Sequence, residues 1–242
     1  MTAPLTTPAG QVYIQTREES FAFLAQRLNQ LAAAGPASIG LSGGSTPKAF
    51  YTWAVAQSAL SSQAIARLAW HVSDERCVPL ASEDSNFGQA ARGMLDPLGI
   101  APAQRHPWPV EATPEVAAEK YNQFWQQHSP QKTFNLCLLG LGDDAHIASL
   151  WPQCPLIGQP GLPRFTHTQW PARGWRLTIT EAGLSQCDQI VVLVNGANKA
   201  AALQQVVHGA WNPRTYPGQV LRQWSSKVTW LIDTAAAAGL NA

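Results

Sequence analysis

LGLGDDAHIASLWP, residues 139–152, ends an apolar run on two glycines and then sets Asp143, Asp144 and His146 directly behind it. The run leading in, NLCLLGLG (135–142), is short and continuously apolar. That pattern fits a strand buried on both faces of a parallel sheet, since a half-solvated strand would alternate. In open α/β sheets ligands bind beyond the carboxyl ends of the strands. Two acids and an imidazole at such an end therefore predict both the fold class and the place of the chemistry, with Ile147 to Leu150 expected to begin a short helix.

The flanking sequence repeats the same alternation of elements. Further strands are expected at QVYIQT (11–16), ASIGLSG (37–43), ARLAWHVSD (66–74), WRLTIT (175–180), QIVVLVNG (189–196) and KVTWLID (227–233). Helical periodicity marks 20–34, 47–57, 85–98, 114–128 and 197–209, the first of them ending at Gly35-Pro36. Strands alternating with helices imply an α/β fold with a mainly parallel sheet covered by helices on both faces. The proline-rich stretches 79–85, 101–114 and 152–174 read as surface loops, the last long enough to serve a function. No repeat or low-complexity linker divides residues 1–242, so a single domain is expected.

Composition narrows the function classes. A chain of 242 residues, 45% hydrophobic, can bury a full core, and a formal charge of +1 without a run of like charges argues against nucleic acid or an anionic membrane as a general partner, while a few local cations could still hold a small anion. The partner expected is a small molecule, with the chain acting as a monomer or small homo-oligomer. Cys77, Cys137, Cys154 and Cys187 form no CxxC pair and no Cys/His cluster at zinc-like spacing, so they are read as reduced thiols and no metal is expected. The first fifteen residues show no signal-peptide pattern and no run approaches a membrane span, which gives a cytoplasmic expectation. Of the ten Trp, Trp70, Trp125, Trp151, Trp175 and Trp230 sit in apolar-periodic stretches and are assigned to packing.

The other strand ends carry polar groups as well. Leu41-Ser42-Gly43-Gly44-Ser45-Thr46-Pro47 couples two glycines, which allow close backbone approach, to hydroxyls of Ser45 and Thr46 at a helix start. It can be an anion cradle or an ordinary capped turn, and it matches neither the P-loop nor GxGxxG. Ser73-Asp74-Glu75-Arg76, with Ser85-Asn86 close behind, can be a salt-bridged corner, or can hold sugar hydroxyls through Asp74 and an anion through Arg76. Arg176 and Lys199, together with the Ser-Gly-Gly-Ser-Thr loop, suffice to neutralise a phosphate dianion. A neutral imidazole held by a carboxylate is the standard form of a general base, which assigns that role to His146 beside Asp144.

Taken in order, LSGGSTP (41–47), SDERCVP with a following SN (73–79, 85–86), LGLGDDAHIASLWP (139–152), RLTIT (176–180) and NGANKAAAL (195–203) resemble the motifs of 6-phosphogluconolactonases. Those enzymes are similar in fold to the glucosamine-6-phosphate deaminases. The resemblance runs from about residue 10 to the C-terminus. It implies a Rossmann-like domain that hydrolyses 6-phospho-D-glucono-1,5-lactone without metal or organic cofactor. It also implies roles: His146 as the base toward water with Asp144 its neighbour, Ser45, Arg176 and Lys199 at the phosphate, and Arg76 at the phosphate or the lactone carbonyl. Gly43, Gly44, Thr46, Asp74 and Asn86 complete the expected substrate contacts.

Two positions depart from the family pattern. Asp-Gly-His-Thr is replaced by Asp144-Ala145-His146-Ile147, and a glycine with positive φ at that place would leave Ala145 strained. The deaminases carry a Glu five residues after the His, where this chain has Trp151, so the deaminase reading ranks below the lactonase. A non-catalytic sugar-phosphate sensor is the rival of a different class: it is expected to carry a helix-turn-helix ahead of the fold, whereas about ten residues precede the first expected strand, and the retained Asp144 and His146 also count against it, with Ala145 the one feature in its favour.

Overall fold

The computed structural model describes residues 3–171 and 173–240. Strands β1 (Leu5–Thr7) and β2 (Gly10–Ile14) come first, then α1 (Arg17–Ala34), β3 (Ala37–Leu41), α2 (Ser45–Ala56), α3 (Ser62–Arg67), β4 (Leu68–Val72) and β5 (Asp74–Arg76). They are followed by α4 (Asn86–Ala90), α5 (Pro114–His128), β6 (Leu136–Gly140), β7 (Phe165–Trp170), β8 (Gly174–Ile179), α6 (Glu181–Ser185), β9 (Gln189–Val194), α7 (Ala200–Val207) and β10 (Val228–Ile232). Local chemistry sets the helix ends. At α1 the Thr16 hydroxyl accepts the Glu19 N–H at 3.2 Å while the Glu19 carboxylate accepts the Thr16 N–H at 2.8 Å, a reciprocal capping box.

The main sheet has the order β1-β2-β10-β9-β6-β3-β4 and is parallel throughout except for the β1–β2 pair. Strand β6 is buried from Leu136 to Leu139 and β9 from Ile190 to Val194, which requires cover on both faces. Each such side chain contributes about 1.5–3 kcal/mol by burial, enough to hold the strand ends rigidly. From β3 the chain proceeds to β4 on one side and returns to β6 on the other, so the order reverses between β3 and β6. Their ladder pairs only Ile39 with Leu136 and Gly40 with Cys137, and it stops short of both carboxyl ends. The crevice opened there is the expected ligand position. The four cysteines are free, and no helix among the described residues is long and apolar enough to cross a membrane.

Several expectations from the sequence are corrected. WRLTIT lies outside the parallel sheet. As β8 it forms a separate antiparallel sheet with β5 and with β7, and β7 falls inside the stretch 152–174 that had read as loop. Residues 66–67, expected to open a strand, end α3 instead. The helix expected over 85–98 is α-helical only to Ala90, and Ala91–Leu95 forms a wider π-type turn. Ile147 to Leu150 is a tight turn, with Ile147 and Leu150 exchanging backbone hydrogen bonds and Ala148 at φ 45°, a conformation no helix contains. Trp175, assigned to packing, is 39% exposed.

Candidate active site

The carboxyl ends of β3, β6 and β9 and one edge of the small sheet enclose a cavity of about 270 Å³. Its lining includes Gly43, Gly44, Ser45, Thr46, Asp74, Arg76, Asn86, His146, Arg176 and Lys199, ten of the eleven residues selected from the sequence. Asp144, the eleventh, stands behind His146: its Oδ1 lies 2.6 Å from the imidazole Nδ1 and accepts the His146 backbone N–H at 3.1 Å. Gly142 makes this packing possible, because a Cβ there would fall 2.0 Å from His146 Nδ1 and 2.5 Å from Asp144 Oδ1. Burial alone would raise the Asp144 carboxyl, but the hydrogen bonds and charge of His146 outweigh it and hold it at about 2. Asp144 is therefore ionised at neutral pH, and in a neutral imidazole it holds the proton on Nδ1, which leaves Nε2 as the acceptor. Ala145, between them, has φ 66°, so the expected strain is real, yet the pair is intact.

The opposite wall is cationic. Arg76 on β5 and Arg176 on β8 are direct cross-strand partners, a like-charge pairing that is unfavourable without a ligand anion. Burial lowers the Arg176 guanidinium from its ordinary value, and the charges of Arg76 and Arg173 add to this while that of Asp74 opposes it. Among the described residues no carboxylate lies in ion-pair range of Arg76, Arg173, Arg176 or Lys199, although all four line the cavity. The Gly-Gly-Ser-Thr loop adds backbone donors. Gly44, at φ 98°, is the N-cap of α2 and offers no side-chain cap, so the helix start is left free for an anion. Ser45 and Thr46 thus lie inside the first helical turn rather than capping it.

Asp74 and Glu75, adjacent in sequence, have unrelated surroundings. Asp74 faces the cavity and accepts the Ser149 hydroxyl at 2.7 Å, while Ser149 N–H donates to Thr178 Oγ1 at 3.2 Å. Ser149 thereby ties the His146 loop to the small sheet. Glu75 is fully buried and accepts the backbone N–H groups of Arg76, Asn86 and Phe87 and the Ser85 hydroxyl. Burial still leaves its carboxyl above the ordinary value. Asn86 donates Nδ2–H to the Asp74 carbonyl at 2.8 Å, and its Oδ1 rests against Gly43. Ser149, Trp170, Arg173 and Asn195 also line the cavity. The sequence reading missed them: Ser149 and Asn195 lie inside quoted motifs but beside residues with stronger chemistry, and Trp170 and Arg173 stand in no motif. Among the described residues no group of three or more His, Cys, Asp or Glu could hold a metal.

Fold and site together define an α/β protein whose His–Asp pair faces a cationic wall. Residues 15–230 match the family of glucosamine-6-phosphate isomerases/6-phosphogluconolactonase, and the chain belongs to it. A 6-phosphogluconolactonase of Synechocystis is 36% identical over 221 residues, covering 87% of this chain and 88% of that protein. The solved 6-phosphogluconolactonase from Trypanosoma brucei aligns with a TM-score of 0.81 at 25% identity, over 98% of this chain and 100% of that one. A monomeric glucosamine-6-phosphate deaminase aligns at 0.79 and 20% identity, over 94% of this chain and 98% of that one, which shows the shared fold.

Proposed function

We propose that this chain hydrolyses 6-phospho-D-glucono-1,5-lactone to 6-phospho-D-gluconate, the lactone-opening step of the oxidative pentose phosphate pathway. The observation that carries the reading is the facing of the His146–Asp144 pair by Arg76, Arg176 and Lys199, none of which has a carboxylate of the described residues within ion-pair distance. The phosphate binds the cations and the open start of α2, which brings C1 of the lactone to the imidazole. His146 Nε2 takes a proton from water as the oxygen adds to C1. The developing oxyanion is stabilised by the cationic cavity, and collapse breaks the bond to the ring oxygen, which takes the proton held on His146 Nε2 and leaves as the hydroxyl, returning the imidazole to its neutral form. A lactone carbonyl is electrophilic enough that no enzyme nucleophile is required. The ligand is a small molecule, with no role for nucleic acid or membrane, and free cysteines accord with a cytoplasmic setting. Five residues after His146 the buried Trp151 stacks on Trp170, so the acid a deaminase would use there is missing.

The test is acid release from freshly generated lactone, measured against the uncatalysed rate. Wild type accelerates it. His146→Ala lowers kcat by about 10²–10⁴ with KM little changed, and Lys199→Ala raises KM by about tenfold with kcat largely kept. No acceleration by wild type overturns the reading.

A further inference from the structure

The β7–β8 hairpin turns at the mouth of the cavity, and Trp170 and Arg173 at its tip line the site without a part in the steps above. Trp170, only 9% exposed, is held from several directions. Trp151 stacks on it at 5.0 Å between centroids and 15°, and the Arg173 guanidinium lies 4.6 Å from its ring centroid. The Arg173 backbone N–H donates to the Trp170 carbonyl at 3.0 Å, closing the turn. The His146 ring meets Trp170 edge to face, 5.0 Å between centroids at 79°. One hydrogen bond to Asp144 fixes the distance of the imidazole but leaves its tilt free, and an aromatic wall at right angles removes that freedom. The exposed Arg173 is held by its cation–π contact within electrostatic reach of Arg176. That adds a further positive charge to the wall where the phosphate is placed.

We propose that Trp170 is a positioning residue for the His146 imidazole, and that Arg173, carried over its ring, is a further contact for the substrate's phosphate. The proposal rests on the lactonase reading given above. It is tested by steady-state kinetics on the lactone with Trp170→Leu, Trp170→Phe, Arg173→Ala and Arg173→Lys, alongside titration with 6-phosphogluconate followed by tryptophan emission. Leu keeps an apolar side chain at the site but no aromatic face, so Trp170→Leu lowers kcat by about tenfold or more with KM within about threefold, and Trp170→Phe restores most of the loss. Arg173→Ala raises KM and weakens 6-phosphogluconate binding by about tenfold, and Arg173→Lys recovers part of it. Saturating 6-phosphogluconate shifts the emission of wild type, and Trp170→Phe abolishes the shift. An unchanged kcat in folded Trp170→Leu, or unchanged 6-phosphogluconate binding in Arg173→Ala, overturns the proposal. If wild type fails to accelerate lactone opening, the functional reading falls separately, and the binding titration alone then decides the role of Arg173.

Discussion

Ala145 occupies left-handed backbone space at φ 66°, which costs a residue with a Cβ roughly 1–2 kcal/mol. Two gains offset this. Its fully buried methyl contributes about 0.8 kcal/mol, and Ala leaves the unfolded chain less entropy than Gly, by about 0.4–1 kcal/mol. The loop is also closed on itself: Ala145 N–H donates to the Gly142 carbonyl at 3.1 Å, Gly142 N–H to the His146 carbonyl at 2.9 Å, and the Ala145 carbonyl accepts Gly218 N–H at 2.8 Å. Ala145→Gly should accordingly change unfolding free energy by no more than about 1 kcal/mol, and kcat by no more than about threefold. Chemical denaturation and lactone kinetics check this, and a stabilisation above about 2 kcal/mol would mean that the loop is strained beyond what its own bonds offset. The His146–Asp144 pair was readable from sequence because everything that makes it is local, a glycine-broken strand end followed at once by acid and imidazole. Glu75 was not, because its burial depends on Ser85, Asn86 and Phe87 folding back over it from ten or more residues away.

The elements around the site differ in the same respect. Strand β6 and helix α2 announce themselves by continuous apolar residues and by a glycine pair before a helical period. Strands β5 and β7 do not, since three residues, Asp74–Arg76, and the mixed stretch Phe165–Trp170 become strands only by pairing with β8. The cross-strand pair Arg76–Arg176, a strong sign of an anion site, is therefore invisible until that register is known. Gly43 joins two of these elements. A Cβ on it would fall 1.9 Å from Asn86 Oδ1 and 2.5 Å from its Cγ, and Asn86 is buried and committed to the Asp74 carbonyl. Gly43→Ala should push Asn86 off Asp74 and displace the start of α2, raising KM for the lactone by about tenfold and costing about 1–3 kcal/mol of stability. Kinetics together with a thermal melt read both effects, and wild-type values for both would show that the loop yields without disturbing the cradle.

The whole fold concentrates polar groups at one end of the sheet and leaves a buried titratable cluster beneath it. His71 lies in β4, three residues before Asp74, is 2% exposed, and is ringed by Tyr121, Phe124, Trp125 and Phe134. It stacks on His106 at 4.8 Å, and its Nδ1 is 3.1 Å from the Tyr121 hydroxyl. Burial, reinforced by the charges of neighbouring histidines, lowers His71 well below its ordinary value and lowers His106 as well. A histidine kept neutral in the folded state takes up its proton more readily when unfolded, where it titrates near about 6.5. Stability is thus fully present above that pH and falls as pH drops below it, by about 1.4 kcal/mol per pH unit for His71 until its folded value is reached. The exposed side of His106 adds less. Unfolding free energies measured by denaturant should stay nearly level from pH 7.5 to about 6.5 and then decline toward that slope down to pH 5. His71→Phe, which keeps an aromatic ring in the cluster but cannot titrate, should make the decline distinctly shallower whatever it costs at pH 7.5 through the lost Tyr121 partner. An equal slope in the variant would place the acid sensitivity elsewhere, and a stability that rose toward pH 5 would contradict a neutral, buried His71.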